Sequence, residues 1–190
     1  TQATFGPTES AIQSVVSSGS VNAWITSQIS APPASTTHLA HVSAVLAASG
    51  NADDNEFYQT WWRQALSGQD QLRQRVAFAL SQIFVISLND DVIDARGAAS
   101  YYDMLTRNAL GNYRDLLEEV TLHPMMGRYL TYLANQKEDA AGTRSPDENY
   151  AREVMQLMTI GLVELNADGT QRLNAGQPIP TYTSADIAGL

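Results

Sequence analysis

Residues 145 to 153 read Ser-Pro-Asp-Glu-Asn-Tyr-Ala-Arg-Glu, and a helix opened by this segment sets Asn149, Arg152, Glu153 and Gln156 in one polar stripe. Glu148 stands four residues before Arg152 and Asn149 four before Glu153, while Tyr150, Val154, Met155, Leu157 and Met158 are apolar. A carboxylate and a guanidinium that face a cleft can bind an acidic sugar or act as acid and base. Buried among helices, the same groups must instead be paired, for example Glu153 with Arg73 or Arg75. The catalytic candidates are therefore Glu148, Arg152, Glu153 and His123. Asn149, Arg73 and Arg75 are the binding candidates, with structural ion pairs as the competing reading.

Part of the segment has a purely structural account. Ser145 fits a helix N-cap, Pro146 the first helical position, and Glu148 the third position of a capping box that reaches back to the Ser145 amide. Asp147 suits the first turn of the same helix. His123 precedes Pro124, so it is expected at a helix entrance, hydrogen-bonded locally. His38 and His41 are three apart, a spacing that can bind metal, but no carboxylate is close to them in sequence. Asn166, Asp168 and Thr170 alternate as in a calcium loop without its sixth-position glycine and twelfth-position glutamate. Asn51, Asp53, Asp54, Asn55 and Glu56 form a second oxygen-rich cluster. No cofactor is expected, and calcium at these clusters is the one metal the sequence leaves open. Tyr58, Trp61 and Trp62 can stack on sugar rings, or can belong to the core as aromatics at helical spacing usually do.

The elements that position these residues are helical. Thr8 and Ser20 fit N-caps of two helices, the second ending before Pro32-Pro33. Leu39, Val42, Val45 and Leu46 form a third apolar face, closed by Ser49-Gly50. Asp53 or Asp54 opens a fourth helix with Phe57, Trp61 and Leu66 on one side and Gly68 at its end. The densest apolar run predicts a central helix from Asp70 to about Leu88. Helices over 98–110, 113–121 and 124–135 follow, then a polar loop at 137–144 and the 146–162 helix, which is also expected near the centre. Asp168-Gly169 predicts a turn between short extended pieces. Thr183 or Ser184 can cap one more helix, for which the last residues leave no room.

The chain has 190 residues, 44% of them hydrophobic, which is enough for one core, so a single domain over 1–190 is expected. Twenty acidic residues against 11 basic ones give a net charge of -9, which argues against nucleic acid as a partner. Cysteine is absent, excluding disulfides and thiolate chemistry. Lysine occurs once, at Lys137, among abundant Asn, Gln, Ser and Thr, a surface that favours an exported protein, periplasmic or extracellular. No signal peptide is legible at Thr1, so an export leader is expected to lie outside these residues. No apolar run is long enough to cross a bilayer.

Five blocks in order resemble the DUF1800 family. They are Gln2-Ala3-Thr4-Phe5-Gly6-Pro7-Thr8, Gln71-Leu72-Arg73-Gln74-Arg75-Val76-Ala77-Phe78, His123-Pro124 with Met126, Glu148-Asn149-Tyr150-Ala151-Arg152-Glu153, and Tyr182-Thr183 with Asp186-Ile187. The resemblance implies a mainly α-helical bacterial protein, commonly exported, of unknown function. It also implies that these residues are the N-terminal part of a longer chain, whose remaining C-terminal part is one expected partner. A DUF1501-type protein, similar to sulfatases and phosphatases, is the other. Where many members carry a pattern with two histidines, this chain reads Ala79-Leu80-Ser81-Gln82-Ile83-Phe84 and lacks both.

The expected fold is all-α, a multi-helix orthogonal or bundle-like domain with a short irregular or hairpin-like C-terminal tail. Three functions stay open: an uncharacterised module in cell-surface or extracellular assembly, a polysaccharide-processing or hydrolase-like enzyme with a cleft around Glu148, Arg152 and Glu153, and a calcium-stabilised adhesion module.

Overall fold

The computed structural model describes residues 2–6, 8–34 and 36–188. Its contacts group the chain into two compact units, Thr1–Tyr129 and Leu130–Leu190. The chain is mainly α-helical with a small two-stranded sheet.

The first unit holds α1 (Glu9–Ser17), α2 (Val21–Ser30), α3 (His38–Ser49), α4 (Asp54–Ser67), α5 (Gln71–Ser81), α6 (Ala95–Asn108), α7 (Tyr113–Leu122) and α8 (Pro124–Tyr129). Local chemistry sets most of the starts. The Thr8, Ser20, Thr37, Asp53, Asp94 and Asn112 side chains each accept from an amide of the first turn. Gly50 ends α3 at φ 75, a left-handed position that favours glycine.

The centre of this unit is α6. Ala95, Ala98, Ala99, Tyr101, Tyr102, Met104, Leu105 and Thr106 are all buried there. Its small residues permit close approach; a Cβ at Gly97 would stand 2.1 Å from Met125 Sδ of α8. Val42, Phe57, Ala77, Ile93 and Tyr102 complete the main apolar cluster. The helix expected from Asp70 to Leu88 instead stops at Ser81. Beyond it Phe84 is fully buried and its carbonyl accepts from the Tyr101 hydroxyl at 3.0 Å, so the apolar stretch packs as an irregular segment over α6. The helix expected over 124–135 ends at Tyr129, and Thr131 and Ala134 adopt positive φ.

In the second unit α9 spans Asn149–Glu153 and runs on as a π-helix over Val154–Thr159, in place of one helix from Pro146 to Leu162. Only Met158 of these eleven residues is buried. Thr159 closes the wider turn by donating to the Val154 carbonyl at 2.6 Å. The Asp168-Gly169 turn is present, with Asn166 and Thr170 joined across it at 2.8 Å. A second turn at Ala175-Gly176 joins β1 (Leu173–Asn174) to β2 (Gln177–Pro178). Both turn residues have positive φ, the geometry of a tight two-residue hairpin. A last helix does form, α10 (Ser184–Ala188), because the Asp186 carboxylate accepts from both the amide and the hydroxyl of Thr183.

Candidate functional site

In the second unit Asp147, not Ser145, opens the helix of the polar stripe. Its Oδ1 accepts from the Asn149 amide at 2.8 Å, while the Thr131 hydroxyl donates to Oδ2. The Asn135 side chain grips the Asp147 backbone from both sides, accepting from its amide at 2.9 Å and donating to its carbonyl at 2.8 Å. The first helical residue is Asn149, so Glu148 stands at the N-cap with φ -95 and ψ 0, and not at the third position of a helix begun at Ser145. The Thr131 hydroxyl, then the Asn149 amide, hold the Asp147 carboxyl below the usual carboxylate range.

Glu148 closes on Arg152 at 2.6 Å, with the two side chains 40% and 49% exposed. An exposed pair four residues apart contributes roughly 0.3–0.5 kcal/mol. Asn149 is exposed and Glu153 half-buried, and Glu153 enters no ion pair among the described residues.

The other candidates lie in the first unit. His123 follows α7, where its Nδ1 accepts from the Met125 amide at 3.2 Å and its Nε2 lies 3.3 Å from Ser100 Oγ. Its ring packs edge-on to Tyr101 at 5.0 Å. A depression of about 520 Å³ opens beside it, lined also by Asp94, Arg96 and Ser100. A nitrogen that accepts an amide proton is itself unprotonated, so the proton of the neutral ring sits on Nε2 and points to Ser100. That tautomer donates to Ser100 and cannot take its proton. Burial, with Arg107 nearby, lowers the His123 pKa, against an opposing pull from Glu119.

Arg73 is buried and donates to the carbonyls of Thr106 (3.4 Å) and Ala31 (3.3 Å). Arg75 donates to the Gln2 carbonyl at 3.3 Å and lies over the rings of Phe5 and Phe78. Both arginines thus find partners within their own unit that are carbonyls and rings.

The buried polar and charged residues described all lie in the first unit. They are His38, Thr60, Gln64, Asp70, Arg73, Gln74 and Thr106. Asp70 accepts from the Ala34 amide (3.3 Å) and from Gln74 Nε2 (3.1 Å), and Gln64 donates to the Thr36 carbonyl at 2.9 Å. Half-buried Asp103 of α6 accepts from the amides of His38 and Leu39, both at 2.9 Å, and so anchors the start of α3. Among the described residues both His38 nitrogens, Asp70 Oδ1, Arg73 Nε and Thr106 Oγ1 have no protein hydrogen-bond partner. The sequence marks the His38–His41 spacing and Arg73; Asp70 and Asp103 lie 32 and 65 residues from His38.

A family model described as "Protein of unknown function (DUF1800)" matches residues 1–190, the whole chain. The chain belongs to the DUF1800 family. No curated protein and no solved structure matched it.

In this DUF1800 chain the buried set has the electrostatics of a structural core. Burial lowers the His38 pKa to about 4, with Asp70 opposing and His41 assisting, so the ring is neutral at pH 7. Phe57 and Tyr102 pack edge-on against it. Burial also raises the Asp103 carboxyl, although the Leu39 and His38 amides oppose it. His41 Nε2 lies 3.5 Å from Glu56 Oε2, an ion-pair distance without hydrogen-bond alignment. Among the described residues no three His, Asp or Glu groups gather as a metal would need. Asp139 and Asp168 each accept from a nearby threonine hydroxyl and amide, which lowers both carboxyls. The polar stripe, by contrast, is half exposed, with Asn149 and Arg152 exposed and Glu153 and Gln156 half-buried, and it runs into a π-helix, a form frequent at functional sites.

Proposed function

We propose that the chain is a non-catalytic module of an exported bacterial protein, working in cell-surface or extracellular assembly. One observation carries this reading: apart from Glu153, the candidate groups are already bonded to their neighbours. Glu148 holds Arg152, and Arg73 serves two carbonyls. His123 is fixed as the tautomer that donates to Ser100. A general base needs a free lone pair aimed at the proton it takes, and His123 offers none toward Ser100. The surface, with net charge -9 and one lysine, favours export and disfavours nucleic acid.

The π-helix beside Glu148, Arg152 and Glu153 favours the second reading, a polysaccharide-processing or hydrolase-like enzyme. Fractionation of the native bacterium, together with assay of wild type and Glu153→Gln on glycoside and ester substrates, separates the two. The assembly module is expected outside the cytoplasm, without turnover attributable to Glu153. Turnover that Glu153→Gln abolishes while the Tm stays unchanged would establish the enzyme, and a cytoplasmic location would end the export reading. A Tm that rises with calcium and falls on chelation would favour calcium-stabilised adhesion.

A further inference from the structure

Helix α4 has one apolar face too many for the core. Phe57, Thr60, Gln64 and Ala65 point inward and are buried. On another face Tyr58, Trp62 and Leu66 follow at four-residue spacing and are 46%, 56% and 69% exposed. Alongside runs a parallel row, Asn55, Gln59 and Arg63, also exposed. Among the described residues none of these three makes a protein hydrogen bond through its side chain.

The exposed rings are supported from below. The Trp62 indole stands perpendicular to that of Trp61, with centroids 5.0 Å apart. Trp61 is wedged against Phe5 at 5.4 Å and Phe78 at 5.8 Å. Tyr58 packs against buried Phe57 at 5.8 Å. Apart from Leu66, the two rows border a shallow depression of about 730 Å³ that also takes in Asp53 and Glu56. Tyr58 borders a second depression, of about 260 Å³, toward Gln82, Val85 and Ser87.

We propose that this face of α4 is a carbohydrate platform for a neutral, linear oligosaccharide. A pyranose ring presents an apolar C–H face and a rim of hydroxyls that both donate and accept. Trp62 and Tyr58 match the face, one helical turn apart, about 6 Å along the axis. Asn55 and Gln59 offer amides able to donate and accept at once, and Arg63 adds planar donors, so together they match the rim. Charge selects among glycans: Asp53, Glu56 and the net charge of -9 repel uronic or sulfated chains. A protein partner fits less well, because interface centres are depleted of charge, whereas here each ring is bordered by polar or charged side chains.

This inference goes beyond the assembly reading and fails separately from it. The test uses the full chain with hexasaccharides of β-1,4-glucose, β-1,4-N-acetylglucosamine and α-1,4-glucose, and with heparin as the anionic control. Isothermal titration and tryptophan fluorescence report binding. The expected result is that at least one neutral hexasaccharide binds and shifts the fluorescence, while heparin does not bind. Trp62→Ala and Tyr58→Ala should each weaken binding at least tenfold with the Tm nearly unchanged, and Gln59→Ala should weaken it several-fold. Fluorescence retained in Trp62→Ala but unresponsive to sugar would identify Trp62 as the reporter. The proposal is overturned if no neutral hexasaccharide binds, or if the Tyr58→Ala/Trp62→Ala double variant binds as wild type does. Self-association that Trp62→Ala abolishes and saccharide leaves unaltered also overturns it, assigning the face to a second copy. The cellular location of the chain moves with none of these outcomes.

Discussion

His38 shows how one buried side chain makes a fold sensitive to pH. Its ring is fully buried among Phe57 and Tyr102, and burial depresses its pKa from 6.5 to about 4. Between those values the unfolded chain binds a proton that the folded chain refuses, so stability rises with pH across the window and falls as pH drops from 6.5 toward 4. The full swing is on the order of 3 kcal/mol. Asp103, whose carboxyl burial raises, works in the opposite direction, and Asp70 and His41 complete the charges facing the ring. Urea melts at pH 4.5 and 7 should therefore show a smaller loss in His38→Phe than in wild type; an equal loss would remove His38 as the cause. This residue also marks the limit of sequence reading. The His38–His41 spacing was legible as a metal pattern, but Asp103 reaches the His38 amide only through the packing of α6 on α3, and Asp70 faces the ring from a distant point in the chain, which no local periodicity records. At Glu148 and Arg152 the four-residue spacing is legible, but the sequence favours Glu148 as a capping-box residue, and the pair that forms is the local one.

At the scale of elements, boundaries set by a local bond or turn were legible, the stops at Gly50 and Gly68 among them, and those set by distant packing were not. Thr8, Ser20 and Asp53 cap helices as their types demand, because a cap is a local bond. The end of α5 at Ser81 is decided by Tyr101, twenty residues on, which takes the Phe84 carbonyl. Likewise Asn135 and Thr131 hold Asp147, delaying α9 by three residues relative to Pro146. The hairpin at Ala175-Gly176 was missed because alanine at positive φ carries no sequence signal, whereas Asp168-Gly169 does. That exception gives a direct test. Ala175→Asn places a residue that tolerates the left-handed region at φ 49, and should stabilise the hairpin by about 0.5–1 kcal/mol. NMR amide temperature coefficients across 171–180 would register the tightening. Looser amides in the variant would show that the turn owes its geometry to its surroundings.

For the whole molecule, burial is unevenly shared. Most of the buried residues lie in the first unit, and Met158 and Ile187 are the buried hydrophobic residues described in the second. Opening free energies follow buried apolar contact, so amides of residues 130–188 should exchange with solvent before those of α3, α5 and α6. Hydrogen exchange on the intact chain reads this directly, and uniform protection across both units would contradict it. The fold class was legible throughout because helical periodicity and caps repeat along the sequence; the division of burial was not, since it depends on which faces meet.

Arg73 carries a consequence for the order in which the first unit assembles. Its guanidinium bonds carbonyls 42 residues before it and 33 after it, contributed by the end of α2 and by α6. A collapsed chain that has docked only one of these leaves a cation in an apolar medium short of acceptors, which costs several kcal/mol. Half-built arrangements are thereby kept rare, and the last docking step completes the ion's coordination and the core together. The arginine thus acts in time as well as in space: it penalises partial assembly along the route to the native state.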